Sequence, residues 1–214
     1  MEYNISDLKR DVRVAIDMNK VSTALSTLGD IDTLTLEEII ESKIAPAARI
    51  VEGGAPVYLL DGGYPFAASI GWDSEPGYGS GHIVLPQDWM RLVSFQMSDW
   101  THAVTAAITE DDPIYAQQRS RFPGIRGCPQ KPVVALVMRP VGLVLEFYSC
   151  TAGNSVYVKR ARYLPYPKIV NGKIDLCEKC KDAIVYYAAY MTALSVGEGD
   201  LANLLLSQSN ELLK

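Results

Sequence analysis

The chain has 214 residues, of which 48% are hydrophobic and 21% charged, a composition typical of a globular protein with a sizeable core and not of a disordered one. The formal net charge of −5 argues against tight binding to a nucleic-acid backbone, which needs clustered Lys and Arg. No secretory signal pattern opens the chain, and its longest apolar run, residues 183–197, is too short to cross a bilayer, so we expect a protein of the cytoplasm without membrane insertion.

The first 55 residues carry helical patterns. Apolar residues from Ile5 to Leu28 follow helical spacing approximately and predict one helix or two. Thr35 and Glu38 have the spacing of a capping box, which marks the start of the next helix, and Leu34 and Ile39 could form a hydrophobic staple around it. We expect Pro46 to kink or break this helix before Gly53–Gly54 ends it.

From Pro56 the pattern changes to short apolar runs separated by turn residues. The run "PVYLL" predicts a strand that leads into a hairpin-like turn at Asp61–Gly63. A longer strand should begin after Asp88, where apolar Val93, Phe95 and Met97 alternate with polar residues. This alternation predicts one buried and one solvent-facing side, with Trp89 and Trp100 as anchors at the two ends.

The stretch from Lys131 to Cys150 predicts two strands around a turn at residues 139–142, and "SVYVKRARYLP" predicts a third. Together these runs indicate an antiparallel sheet or small sandwich between about residues 56 and 170. The intervening segment, residues 99–120, fits either a helix or a loop with one strand.

Helical patterns return at the C-terminal end. Asn171–Gly172 marks a turn, Asp175 can cap a long helix that continues to Val196, and a last helix follows from Asp200. Because residues 183–196 are apolar nearly all round, this helix needs cover on every side, which the N-terminal helices can provide. The predicted fold is therefore α+β, with a helical bundle from residues 1–55 and 172–214 and an inserted antiparallel β-rich domain at 56–171.

Cys177 and Cys180 form the strongest chemical motif, a CxxC at a predicted helix start. Redox proteins present a thiol of lowered pKa in this way, so a thiol/redox or metal-binding protein is one hypothesis. However, no βαβ pattern precedes the motif, and Cys128 and Cys150 stand alone, so a structural zinc site lacks its second pair. The favoured interpretation is buried helical cysteines.

The remaining candidates lack the context that their chemistry requires. The glycine-rich stretch "GYGSGH" is followed by a predicted strand, whereas a phosphate-binding loop is followed by a helix. The two histidines, His82 and His102, lie in no catalytic or metal-ligand spacing. The acidic run Glu110–Asp112 is typical of a solvated loop, and the tyrosines of "VYYAAY" at 186, 187 and 190 are typical of a core or subunit contact. The sequence therefore predicts no catalytic, cofactor-binding or metal-binding residue.

Five stretches, taken in order, carry a resemblance to a known family: "IVLPQDWMRLVSFQMSDW", "GCPQKPVVALV", "LEFYSC", "RYLPYPK" and "DAIVYYAAYMTAL". From about residue 34 to 214 the chain resembles the head-to-tail connector or ring proteins of short-tailed bacteriophages, and is most similar to the ring proteins of crAss-like phages. In that wider family, terminal helices form a bundle that an inserted β domain decorates.

The resemblance implies a structural protein of the virion, assembled in the host cytoplasm, that is not an enzyme and needs no cofactor. It implies a homo-oligomeric ring, usually of twelve copies, below the portal protein and beside other tail or ring proteins. DNA would pass through the lumen without sequence-specific binding.

The charges are unevenly spread along the chain, and a ring of identical subunits needs complementary faces. We expect an acid-rich segment of one copy to meet a basic segment of its neighbour. The alternative is that both segments are ordinary solvated faces. The acidic residues are Glu37, Glu38, Glu41 and Glu52, and the basic ones Arg119, Arg121, Arg126, Lys159, Arg160 and Arg162.

Overall fold

Helices near both ends of the chain and antiparallel or mixed sheets between them give an α+β fold. The structure, a computed structural model, describes residues 1–18, 35–66, 69–73, 79–120, 122, 124–151 and 156–214. Contacts divide the chain into a helical unit, Met1–Asp61 with Tyr166–Lys214, and a β unit, Gly62–Pro165. The helices are α1 (Ile5–Met18), α2 (Leu36–Gly54), α3 (Pro113–Gln117), α4 (Lys181–Ser195) and α5 (Gly199–Glu211).

The strands form three sheets in the described residues. One, in the helical unit, has the order β1-β11-β10, and the β unit holds the other two, with the orders β2-β9-β5 and β3-β4-β8-β7-β6. The strands are β1 (Glu2–Asn4), β2 (Tyr64–Pro65), β3 (Ile70–Trp72), β4 (Gly81–Val84), β5 (Trp89–Met97), β6 (Ile108–Thr109), β7 (Val134–Arg139), β8 (Gly142–Phe147), β9 (Val158–Pro165), β10 (Ile169–Val170) and β11 (Lys173–Asp175).

Helix α4 is the centre of the helical unit, since it packs against α1, α2 and α5. Ile184 and Ala188 are 1% and 0% exposed, and small alanines elsewhere along α4 let its neighbours approach closely. Its buried polar groups are satisfied, because Ser209 of α5 donates to the Ala183 carbonyl over 2.8 Å and Thr192 donates to the Ala188 carbonyl. The burial predicted from the apolar pattern is confirmed along most of α4 but not on every side, since Leu194 near its C-terminal end is 51% exposed.

Helix α2 begins with the predicted capping box. The Thr35 hydroxyl accepts from the Glu38 amide, and the Glu38 carboxylate accepts from the Thr35 amide over 2.7 Å. The helix then continues past Pro46 to Gly54, so of the two predicted outcomes, a kink or a break, the break does not occur. One lost backbone hydrogen bond is outweighed by the buried stripe that includes Ile40 and Ile44. Leu34 of the proposed staple, and residues 19–28 of the first helical pattern, lie outside the described residues.

Asp175 does not cap a helix, which corrects the prediction. It ends β11, where its carboxylate accepts from the Met1 amine over 2.6 Å, and α4 begins only at Lys181 after a 3-10 turn at Glu178–Cys180. The Asn171–Gly172 turn is confirmed as a tight hairpin between β10 and β11, with φ of 52° and 71°. Two positive φ values match a type I′ turn, which favours Asn-Gly.

The stretch "PVYLL" is also not a strand. Val57–Leu59 form a 3-10 turn, and the Tyr58 carbonyl accepts from the Lys179 ammonium over 3.2 Å. The Asp61–Gly63 segment is not a hairpin turn either, because β2 pairs with β9. Contacts with residues remote in sequence thus set the conformation of residues 56–63. The strand predicted from their β-propensity does not form for this reason. Residues 56–61 and 166–171, assigned to the β-rich domain from sequence, belong to the helical unit.

In the β unit, the hairpin of β7 and β8 around residues 139–142 and the third strand β9 are confirmed. Residues 99–120 contain both a short strand, β6, and the short helix α3. Side chains from both sheets form one core, which includes Phe95, Trp100 and Phe147. Strand β5 lies where predicted, but its expected solvent-facing side is wrong, since Ser94 and Gln96 are 7% and 8% exposed. Gln96 tolerates burial because its amide donates to the Trp100 carbonyl over 3.1 Å.

Candidate functional site

A cluster of polar side chains lies on the face of the five-stranded sheet that points away from the shared core of the β unit. Alternation along β8 sends Leu145 and Phe147 into that core and turns Glu146 to the opposite face. His82 of β4 lies directly opposite Glu146 in the register of the two strands. The sheet therefore fixes a carboxylate and an imidazole side by side.

Glu146 is the centre of the cluster, and the residue is only 5% exposed. Its Oε1 accepts from the Arg139 guanidinium, with 2.7 Å to Nε and a second contact from the terminal nitrogen. Its Oε2 accepts from the hydroxyls of Tyr148 and Tyr115. Both carboxylate oxygens are thus occupied, as a buried carboxylate requires.

The cluster extends from Arg139 to His82 and Asp73. Arg139 lies 2.9 Å from His82 Nδ1, and one Asp73 oxygen is 3.9 Å from both the His82 ring and the Arg139 guanidinium. Gly71, opposite His82 on β3, makes room for the imidazole, because a Cβ there would lie 2.5 Å from the ring. The ring therefore has a fixed place on this face.

Burial, followed by the hydrogen bond to Glu146, raises the pKa of Tyr148 above its ordinary value. The phenol therefore stays protonated and remains a donor at physiological pH. A carboxylate that already accepts from a guanidinium and two phenols has little capacity to act as a general base. The cluster is built to hold its own members in place.

Beside the cluster lies a pocket of about 380 Å³. Its wall carries three guanidinium groups, two carboxylates and two phenols. This pocket is the part of the site where a ligand has room. Its lining residues are Asp73, Ser80, Tyr115, Gln118, Arg119, Arg126, Arg139, Glu146 and Tyr148.

Local sequence patterns predict no site residue, and this cluster is therefore not among the predictions. The available signal was Glu146, the one charged residue in the apolar run "GLVLEFY", and Arg139 at the end of the preceding strand. The link to His82 depends on which strand pairs with β8, and this pairing is not visible in local patterns.

Cys177 and Cys180 are buried, and no disulfide joins them. Burial, followed by the nearby charge of Glu52, raises the pKa of Cys177 to about 12. Reactive CxxC thiols need the opposite shift, because the thiolate is the nucleophile. The Cys180 thiol donates to the Leu59 carbonyl over 3.7 Å. The environment of both cysteines is that of packed core residues.

Glu52 lies next to this pair and is 3% exposed. Its carboxylate accepts from the Cys177 amide over 2.6 Å, and burial raises its pKa. In the described part of the chain, no group of three or more His, Cys, Asp or Glu side chains is placed to hold a metal ion.

The other sequence candidates lie apart from the pocket or serve local structure. The carboxylate of Asp112 caps α3 through the Ile114 amide at 2.8 Å. His102 is exposed and contacts Thr101. The loop at Gly79 leads into strand β4, and a Cβ at Gly79 would lie 1.9 Å from the Cys150 carbonyl oxygen. The tyrosines of α4 are half-buried, with the rings of Tyr187 and Tyr190 5.2 Å apart.

Comparison with known proteins gives no assignment. No family model matches the chain, and no curated protein matches it at a significant level. Among the helices of the described residues, none combines the length and apolar character that crossing a bilayer requires.

Proposed function

We propose that the protein is a structural subunit of a head-to-tail connector ring in a short-tailed bacteriophage, with no catalytic activity of its own. The observation that carries the proposal is the fold's layout, in which helices from both ends of the chain form one unit and the strands between them form another. The resemblance of the five sequence stretches implies this same layout. In the virion the ring would lie below the portal protein, next to other tail or ring proteins, with DNA passing through its lumen.

Exposed apolar side chains supply surface that subunit contacts can cover. They occur in both units, and Met138, Val141 and Val170 are 68%, 65% and 61% exposed. Met138 and Val141 belong to the hairpin of β7 and β8, whose turn projects an apolar tip. Burial of such side chains between copies would provide most of the affinity of a ring.

One residue of the predicted acidic segment, Glu52, is wrong, because a buried carboxylate cannot face a neighbour, while the pairing of the other residues stays a prediction. Glu52 is buried, and Glu37 and Glu41 pair within the chain, 2.9 Å from Arg13 and 3.0 Å from Lys9 respectively. These carboxylates therefore have partners before any neighbour arrives. On the basic side, Lys159 and Arg160 are exposed, while Arg121 lies outside the described residues.

The test is the oligomeric state of the purified chain. Native mass spectrometry and negative-stain electron microscopy across a wide range of protein concentrations should show a closed ring whose mass is a fixed multiple of the 23.5 kDa subunit. Replacing Cys177 and Cys180 with alanine together should leave the ring intact, which separates the proposal from a thiol-based function. A monomer or two-fold dimer at every concentration would contradict the ring.

A further inference from the structure

We propose that Asn171 is a site of spontaneous covalent modification, at which the side-chain amide is lost and an aspartyl or isoaspartyl residue takes its place. The site is the turn between β10 and β11, where Asn171 precedes Gly172. Both residues are exposed, and the co-reactants are water and hydroxide from the solvent. The proposal concerns the helical unit alone and does not depend on the assembly of a ring.

The reaction begins at the backbone amide nitrogen of Gly172. Once hydroxide has removed its proton, this nitrogen attacks the side-chain carbonyl carbon of Asn171 and forms an N–C bond. The bond to the side-chain nitrogen breaks, and that nitrogen leaves as ammonia with a proton from water. Water then opens the resulting five-membered imide at one of its two carbonyl carbons. The net change replaces an amino group by a hydroxyl group, with no oxidation or reduction.

The Gly172 nitrogen is open to this chemistry. The residue has no side chain, and a Cβ built there would meet no atom within 4 Å. In a two-residue hairpin the hydrogen bonds across the turn are made by the flanking residues, here Val170 and Lys173. Among the described residues, nothing accepts from the Gly172 amide or bonds to the Asn171 side chain. Neither reacting group therefore has a partner to give up.

The turn must open for the reaction to occur. Asn171 is held at a φ of 52°, in the left-handed region, and ring closure requires the Gly172 nitrogen to rotate toward the Asn171 side chain. Opening costs little free energy, because β10 is an edge strand of two residues, Ile169 and Val170, that are 39% and 61% exposed. Transient opening of this exposed hairpin therefore sets the rate of modification.

The Gly172 carbonyl connects the modified turn to α1. It accepts from the Ile5 amide over 2.9 Å, at the start of that helix. An isoaspartyl residue runs the main chain through the side-chain methylene, which lengthens the turn and displaces both this carbonyl and the register of β10 with β11. An aspartyl residue leaves the main chain unchanged and adds a negative charge near the N-terminus of α1, where the helix dipole favours it.

The test is ageing of the purified full chain at pH 7 and pH 9, followed by tryptic peptide mapping with mass spectrometry. The peptide "IVNGK", residues 169–173, should convert to the acidic form faster at pH 9, because hydroxide starts the reaction, and an isoaspartyl methyltransferase should label part of it. Asn203 is the internal control, because it is also exposed but lies within α5 and precedes Leu204. Conversion at Asn171 should be about tenfold faster or more, since a packed helix opens at a higher free-energy cost than an exposed hairpin.

Asn171→Gly is the matched variant, because Gly-Gly also suits this turn type and carries no side-chain amide. After the same ageing, wild-type protein should contain a fraction that unfolds at lower urea concentration, and the variant should lack it. Conversion at Asn171 no faster than at Asn203, or a rate that does not rise with pH, would overturn the proposal. Identical urea unfolding of the two aged proteins would overturn the link to α1. Failure of ring assembly would leave all of these readouts unaffected.

Discussion

Replacing Ile184 with alanine tests whether α4 is the centre of the helical unit. The residue is 1% exposed, and α4 packs against α1, α2 and α5. The substitution removes three carbon atoms, worth about 0.8 kcal/mol each in transfer free energy, and leaves a cavity that adds roughly 1 kcal/mol. The higher helix propensity of alanine offsets about 0.4 kcal/mol of this loss. The free energy of unfolding should therefore fall by about 3 kcal/mol.

Urea unfolding followed by circular dichroism at 222 nm reports mainly on the helices, and the two units can give separate transitions. Leu194→Ala is the matched control, because Leu194 lies on the same helix but is 51% exposed, and it should change stability by less than about 0.5 kcal/mol. Ile184→Asp or Ala188→Asp would bury an unpaired charge and cost more, so expression should fall sharply. A loss below about 1 kcal/mol for Ile184→Ala, or an equal loss for Leu194→Ala, would refute the central placement of α4.

Three further predictions concern buried polar groups. The thiols of Cys177 and Cys180 should react slowly with a disulfide reagent at pH 8 in folded protein and rapidly in denaturant, because they are buried and the pKa of Cys177 is raised to about 12. Glu146→Gln should lower the free energy of unfolding in urea by about 2–3 kcal/mol, which is less than for a fully buried ion pair because the Arg139 side chain is 30% exposed. A double-mutant cycle with Tyr148→Phe should show that the two side chains are coupled. Glu52→Gln should remove a pH dependence of stability, since the raised pKa of Glu52 means that the unfolded chain releases this proton first as pH rises above 4.5.

The sign of the last effect is fixed by linkage. An acid whose pKa is higher in the folded state lowers the free energy of unfolding as pH rises from its unfolded value toward its folded one. Wild-type protein should therefore lose stability relative to Glu52→Gln when pH is raised from about 4 to 7. The reverse trend would show that the hydrogen bonds from Cys177 outweigh burial. Fast reaction of the folded thiols, or additive effects at Glu146 and Tyr148, would contradict the other two predictions.

Elements set by local chemistry could be predicted from the sequence. The capping box of Thr35 and Glu38 uses groups three residues apart, and the Asn171–Gly172 turn follows from the backbone preferences of two neighbours. The apolar surface of α4 predicted its burial because no polar face was available to meet solvent.

Features set by distant contacts could not be predicted. Asp175 has the chemistry of an N-cap, but the Met1 amine is its partner because β1 pairs with β11. Val57–Leu59 have strand propensities that contacts with Lys179 and Cys180 override. Glu146 meets His82 only through the register of β4 and β8, so the candidate site has no signature in any single stretch of sequence.

The way the helical unit is assembled from both ends of the chain has a consequence for synthesis on the ribosome. The β unit is continuous, from Gly62 to Pro165, so all of its strands are synthesised before α4. Helix α2, by contrast, carries an apolar stripe that includes Ile40, Ile44 and Val51, and its main packing partner is α4, which is made more than a hundred residues later. During that interval the apolar stripe of α2 is exposed to solvent, because α4 is not yet present to bury it. Slow translation between residues 60 and 180 should therefore favour aggregation of the nascent chain or its capture by chaperones.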